Sequence, residues 1–259
     1  MFAAMPVIMI VTHYLTVIPH EYSHSFMAWI VGIKSNPLLI DWGGTGAWNL
    51  FLLAHIDENV DYTQALAAGD HWQVALAAFA GPGIGNGLGY VVARLMIKRR
   101  PIVSRPWVAL WLFWYLFFCV ANLYDYVPLR VFADDGDVTH FVLGWQIDRW
   151  WIYTIVGYLV LWIVVDFYRS VLPSSLQAIG FESFTLARAA MLVAVTLWLF
   201  GYFALPALME EDSVSLFMGR TSLALIPVVV VAAWNRSVVR PLRTEPTVGA
   251  TAAEHEGTR

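Results

Sequence analysis

Apolar segments of membrane-spanning length recur along the chain, and they constrain its fold more than any other feature. Hydrophobic side chains make up 59% of the 259 residues and charged ones 13%, which is more apolar surface than one soluble core requires. Each segment approaches the ~20 residues that a helix needs to cross the hydrocarbon of a bilayer. The sequence therefore predicts an all-α polytopic membrane protein with about six transmembrane helices, near 4–33, 71–97, 106–124, 150–169, 186–208 and 214–234.

Basic residues are concentrated in two stretches at the ends of these segments. They are Lys98, Arg99, Arg100 and Arg105 after the second segment, and Arg236, Arg240 and Arg243 after the sixth. By the positive-inside rule both stretches are cytoplasmic, which predicts a multi-pass protein of the cell membrane with the intervening loops 34–70, 125–149 and 209–213 outside. The net charge of −4 and the lack of a basic face predict no nucleic-acid partner.

The loop at 34–70 mixes turn residues with short aromatic and aliphatic runs. Gly43, Gly44 and Gly46 punctuate two candidate short strands, which predicts a hairpin or re-entrant element after the first helix. A short interfacial helix from Ala47 to Ile56 fits the same residues equally well.

Two imidazoles and a carboxylate lie inside the first apolar segment, in the sequence HEYSH at residues 20–24. On a helix, His20 and His24 lie one turn apart on one face with Glu21 beside them, as a metalloprotease requires of two zinc ligands and a general base. The simpler alternative is that these polar groups satisfy one another within a helical bundle. Ionisable groups at bilayer depth are costly and mark functional sites, so the metal interpretation is favoured.

Two later stretches carry polar groups that can reach this site. In AFAGPGIGNGLGY, Gly81, Gly85 and Gly89 recur every four residues and so line one helix face, which permits close helix packing. Asn86, on the same helix, serves either an interhelical hydrogen bond or the site itself. After the third segment, LRVFADDGDVTHF contains an acidic break that either returns a carboxylate towards the first helix or forms a solvated turn.

Taken together, HEYSH, AGPGIGN and an NL followed by P and DG resemble the motifs of the site-2 protease family of intramembrane zinc metallopeptidases. The first matches the family pattern HExxH. The second resembles the family pattern GPxxN, although three residues rather than two separate Pro82 from Asn86. The third is looser, because Pro128 lies six residues and Asp135 thirteen residues after Asn122. The resemblance covers roughly residues 10 to 140.

The resemblance implies a role for each matching residue. The zinc ligands would be His20, His24 and Asp135, with Glu21 as the general base and with Asn86 and Asn122 positioning the substrate. Three other carboxylates compete with Asp135 for the third ligand position, namely Asp125, Asp134 and Asp137.

It also implies a function, a cofactor and partners. The chain would hydrolyse peptide bonds in or near transmembrane segments of membrane-protein substrates within the lipid bilayer, using Zn²⁺. Residues 1–145 would form the protease core, 146–243 an additional three-helix region, and 244–259 a disordered tail. The family places its site towards the cytosol, whereas the charge distribution above places the loop after HEYSH outside. The alternative function is a non-catalytic metal-binding protein, transporter or scaffold with a protease-like fold.

Overall fold

The computed structural model describes residues 1–53 and 55–240, and within these ranges the chain is helical with no strand. The predicted tail at 244–259 lies outside the described residues. The helices are α1 (Met5–Ile30), α2 (Ala47–Leu52), α3 (Tyr62–Ala67), α4 (His71–Met96), α5 (Arg100–Val103), α6 (Pro106–Leu129), α7 (Asp137–Trp145), α8 (Arg149–Ala178), α9 (Thr185–Leu208) and α10 (Ser213–Val239). The predicted all-α class is confirmed.

Five of these helices, α4, α6, α8, α9 and α10, are long and apolar enough to cross a membrane. Helix α1 has 26 residues, which also suffices for a crossing. It is not among the five because its histidines, glutamate and serines dilute its apolar residues. Helix α1, which contains HEYSH, is therefore the one predicted crossing that is not among these five.

Helix α6 is the centre of the bundle, because its aromatic run is buried against helices on several sides. The side chains of Phe113, Trp114 and Phe117 are fully buried, and α6 packs against α1, α4, α8 and α9. Aromatic rings bury more apolar area than any other side chain, so this run is the main source of apolar packing energy. Helix α6 thus joins the start of α1, the end of α4 and the last three helices in one large core, whereas a second, smaller core is formed by Ala28, Tyr62, Ala65, Val74 and Ala77.

The two basic stretches lie at the same end of the bundle. Arg94, near the end of α4, donates from Nε to Asp166 of α8 at 2.7 Å. Arg188, at the start of α9, donates to the carbonyls of Ser237 and Arg240. The ends of α4, α8 and α10 and the start of α9 are thereby brought together, which agrees with the grouping that the charge pattern predicted.

The segment 36–61, here called the cover segment, lies near the end of α1 that is farther from the two basic stretches. A single antiparallel bridge joins Asp41 and Asp57, with N···O distances of 2.8 and 3.0 Å. Between them, α2 forms part of the helix that the sequence allowed, and the Asn49 side chain donates to the carbonyls of Trp42 and Gly44. Of the predicted hairpin, the described residues form this one bridge, and the short helix α2 lies between the two residues that it joins.

Candidate metal centre

His20 and His24 project from one face of α1, and their rings meet inside the bundle. The two Nε2 atoms are 3.0 Å apart, and both residues are almost completely buried. This arrangement follows from the helix itself, because residues i and i+4 lie one above the other on the same face. The pair that the sequence predicted is therefore formed.

The second ring nitrogen of each histidine has its own oxygen partner. His24 Nδ1 donates to the carbonyl of Ala77 at 2.7 Å, and His20 Nδ1 lies 2.6 Å from Oδ1 of Asn86. A carbonyl oxygen only accepts, so the proton of each neutral imidazole is held at Nδ1. Neither Nε2 then carries a proton, so both lone pairs can face a common point, as metal-binding histidines require.

The third group at this point is Asp137, not Asp135. Oδ2 of Asp137 lies 3.1 Å from Nε2 of His20 and 3.2 Å from Nε2 of His24, and its side chain is 13% exposed. The side chain of Asp135 is 88% exposed, with Oδ1 lying 3.3 Å from Nε2 of His140. The placement of Asp135 beside the histidines is therefore corrected to Asp137, one of the three rivals that the sequence analysis named.

The reason for the shift lies in the geometry of the turn before α7. Gly136 has φ +109°, a conformation that favours glycine, so the predicted tight turn is present. The turn directs the residue after it into the bundle, because Asp137 begins α7 and α7 packs against α4. Gly144 makes this packing close, since a Cβ there would lie 2.6 Å from the backbone nitrogen of Ala75.

The other two rivals for this position are also accounted for. Asp125 forms two hydrogen bonds with Arg130, at 2.7 and 3.1 Å, so its carboxylate is already neutralised. Asp134 is exposed. Among the four aspartates that the sequence offered, Asp137 alone faces the histidines.

The glycines of α4 allow the two helices to approach at the site. A Cβ added to Gly81 would lie 2.0 Å from Nε2 of His24 and 2.6 Å from Nε2 of His20. A Cβ on Gly85 would lie 2.7 Å from the Cα of His20. Gly89, the third in the series, faces Tyr115 of α6 instead. The glycines of this motif therefore leave room for the two histidines. The motif forms a wide π-helical turn, a feature common at functional sites, and this turn lies against the histidines.

The two predicted substrate-positioning asparagines have different surroundings. Asn86 is fully buried, and besides accepting from His20 it donates to the carbonyl of Thr16 at 3.4 Å. It orients a histidine, which answers the question that the sequence left open. Asn122, half-buried in α6, has no side-chain hydrogen bond to any residue in the described ranges. The structure does not bring it to the histidines.

Two residues at the site were not anticipated. The hydroxyl of Tyr126 lies 3.0 Å from Nε2 of His20, and its ring stacks on the imidazole at an interplanar angle of 2°. Glu58 comes from the cover segment and is buried, with a carboxylate oxygen within 4.8 Å of ligand atoms of both His24 and Asp137. Tyr126 lies close to the NL motif, which is a weak sequence signal for a residue at the site. Glu58 lies in a loop that carries no motif, so nothing in the sequence marked it.

The cover segment holds Glu58 in place through its backbone. Lys34, just before this segment, donates from Nζ to the carbonyl oxygens of Leu39 and Glu58 and forms no salt bridge with the Glu58 carboxylate. Burial raises the pKa of the neighbouring Asp57, and the charge of Glu58 raises it further. Burial also raises the pKa of Tyr62, again with a contribution from Glu58. The site end of the molecule is thus rich in buried acidic groups.

The charges and spacings at this point fit a divalent cation. Glu21, Glu58 and Asp137 are three largely buried carboxylates, and within the described ranges none has a lysine or arginine within salt-bridge distance. Buried charges are paired or bind metals. Tetrahedral zinc with bonds of 2.0–2.1 Å to nitrogen and oxygen places its ligand atoms about 3.3 Å apart. The measured separations of 3.0, 3.1 and 3.2 Å are close to that value.

Comparisons with known proteins add nothing to this geometry, since no protein-family model, curated protein or solved structure matches the chain. The likeness to site-2 proteases is carried by the motifs alone. HEYSH and GPGIGN are the two motifs whose residues meet at the candidate metal centre.

Proposed function

We propose that this protein is an intramembrane zinc metalloprotease, in which His20, His24 and Asp137 hold the metal. The observation that supports the proposal most strongly is the convergence of three ligand atoms of suitable type and spacing, with both histidines fixed in the required tautomer. Three protein ligands leave one position open, which is the arrangement of catalytic rather than structural zinc.

His20, His24 and Asp137 would hold the zinc, which when bound would act as a Lewis acid that lowers the pKa of a water and polarises a carbonyl oxygen. Glu21 is the general base. A carboxylate oxygen of Glu21 lies within 4.8 Å of ligand atoms of both histidines, so it can take a proton from the attacking water. The same carboxyl group then delivers that proton to the leaving amine.

Tyr126 is placed to assist the carbonyl. Because its hydroxyl reaches within 3.0 Å of Nε2 of His20, it can donate a hydrogen bond to the oxygen on which negative charge develops. The resemblance implied that Asn86 and Asn122 would position the substrate for this step. We assign that role to Tyr126 instead, since Asn86 is engaged with His20.

A second candidate function is favoured by Glu58. If its carboxylate completes the coordination sphere, four protein ligands close the site, as they do in structural zinc sites. The protein would then bind a metal in the membrane without cutting a peptide. The two functions differ in what Glu21 does, because only the protease needs a base.

The deciding experiment compares Glu21→Gln with the unaltered chain in proteoliposomes. The substrate is a single-span reporter with helix-breaking Gly and Pro residues in its membrane segment. We expect about one zinc per chain in both proteins, cleavage by the unaltered chain, and a loss of about 10²–10⁴-fold in Glu21→Gln. Glu211→Gln, which changes an exposed glutamate away from the site, is the control.

Unchanged cleavage in Glu21→Gln would refute Glu21 as the general base and with it the zinc-protease mechanism. Zinc-loaded protein that leaves the reporter intact would favour the non-catalytic alternative. In that event, Glu58→Gln should weaken zinc retention as strongly as Asp137→Ala.

A further inference from the structure

A crevice separates α8 from α10, and Tyr124 and Pro128 of α6 also line it. Its volume is about 850 Å³, and its walls are mainly apolar. The lining includes Tyr158, Leu161 and Val165 from α8 and Leu225, Val229 and Ala232 from α10. None of the proposed metal ligands lines it, so it needs an explanation of its own.

The crevice runs along most of the bilayer thickness. On α8 its lining extends from Tyr153 to Arg169, a separation that corresponds to about 24 Å at 1.5 Å per residue. The hydrocarbon core of a bilayer is about 30 Å thick. The space is therefore long enough for the acyl chains of one leaflet, which occupy about half of that thickness.

One end of the crevice is strongly basic. Arg169, Arg236 and Arg240 line it together with Asn235, and all three arginines are exposed. Among the residues that the structure describes, none of the three forms a salt bridge with a carboxylate. The carboxylate nearest in sequence to Arg169, Asp166, is already paired with Arg94. Three cations thus converge beside an apolar space without an internal counter-charge.

We propose that the crevice binds an anionic phospholipid, with its acyl chains between α8 and α10 and its phosphate at Arg169, Arg236 and Arg240. Basic pockets between transmembrane helices are typical sites for anionic headgroups. An anionic phospholipid has two parts that match the two parts of the site. Its elongated acyl chains match the apolar walls, and its negatively charged phosphate matches the arginines.

Charge favours a lipid over a transmembrane helix as the occupant. The phosphate of an anionic lipid supplies the counter-charge for the three arginines, whereas a transmembrane helix is apolar along its length and supplies none. Flexible hydrocarbon chains can fill a narrow space of this kind. The loose packing of α10, whose most apolar stretch is 17% buried inside the protein, also leaves room that lipid has to occupy.

The headgroup part of the proposal is tested by lipid binding to the full chain in detergent, measured by native mass spectrometry with phosphatidylglycerol and phosphatidylcholine. We expect phosphatidylglycerol to bind more tightly. Arg169→Gln with Arg236→Gln should reduce that preference about 25-fold, at about 5-fold for each cation. Arg99→Gln with Arg100→Gln, which removes two exposed cations at the same end of the bundle, should leave it unchanged.

The apolar part is tested by filling the crevice. Ala232→Trp should displace both lipids, whereas Val231→Trp, which changes a 75% exposed neighbour that does not line the crevice, should not. Inorganic phosphate should not compete, because it has no acyl chains. Equal binding of the two lipids, or equal losses in the arginine pair and its control, would overturn the proposal. So would strong competition by inorganic phosphate.

Discussion

The metal-site region, formed by α1, α4 and α7, is packed far more tightly than the crevice region between α8 and α10. At Gly81 a single added methyl group would lie 2.0 Å from a histidine nitrogen, whereas at Gly157 on α8 it would meet its nearest neighbour at 3.8 Å. Ligand atoms must be held at fixed separations, which needs rigid surroundings. Lipid tails are flexible, so a site for them tolerates loose packing.

The two regions also treat charge differently. Around the histidines, carboxylates are buried within the protein, and a cation would neutralise their charge. At the crevice end, arginines are exposed and call for an anion. In both places the unbalanced charge, more than the shape, identifies the chemical class of the occupant.

The largest expected effect that tests this comparison is at Asp137. Asp137→Ala removes one of three proposed ligands, so zinc affinity should fall by more than the 10–100-fold typical of outer-shell changes, and cleavage should fall to background. Asp135→Ala is the matched control, because it removes an exposed carboxylate two residues away. Zinc content and reporter cleavage are measured together. If Asp135→Ala is the inactivating change, the turn at Gly136 directs Asp135, and not Asp137, towards the histidines.

The first half of the candidate site was predictable because its residues are local. HEYSH places two histidines on one face through helix periodicity alone, and the spacing of Gly81 and Gly85 predicts close packing by the same rule. Polar residues in an apolar segment stand out, since the bilayer makes them costly. The helices themselves were predictable for the complementary reason, their continuous apolar length.

The remainder depends on contacts between distant parts of the chain. Asp137 and Asp135 differ by two residues in one acidic turn, and only the docking of α7 on α4 decides between them. Glu58 reaches the site through a loop whose path depends on one backbone bridge. The crevice was also not predicted, because its lining residues resemble any other lipid-facing residues.

A smaller effect is expected at Tyr126. Tyr126→Phe keeps the ring that stacks on His20 and removes only the hydroxyl, so zinc content should be unchanged. Reporter cleavage should fall about 10²–10³-fold, the usual loss for one donor to a developing oxyanion. Tyr124→Phe is the control, since its hydroxyl bonds to Ser222 on the side away from the histidines. A loss of zinc in Tyr126→Phe would instead make the tyrosine a structural or metal-binding group.

The smallest difference, and the most direct test of the packing contrast, is between Gly81→Ala and Gly157→Ala. Both changes add one methyl group inside a long helix, where alanine is intrinsically better than glycine by up to about 1 kcal/mol. At Gly157 the nearest atom is 3.8 Å away, so stability should be unchanged or slightly higher.

At Gly81 the methyl group strikes both histidine nitrogens, so the helices must separate, at a cost of about 1–3 kcal/mol in unfolding free energy for overpacking. Zinc retention should fall as well, because the separation of α1 from α4 moves His24 away from Ala77. Denaturant unfolding in detergent and zinc content report the two effects. If both variants behave alike, the two regions are equally compliant, and the rigidity assigned to the metal site is absent.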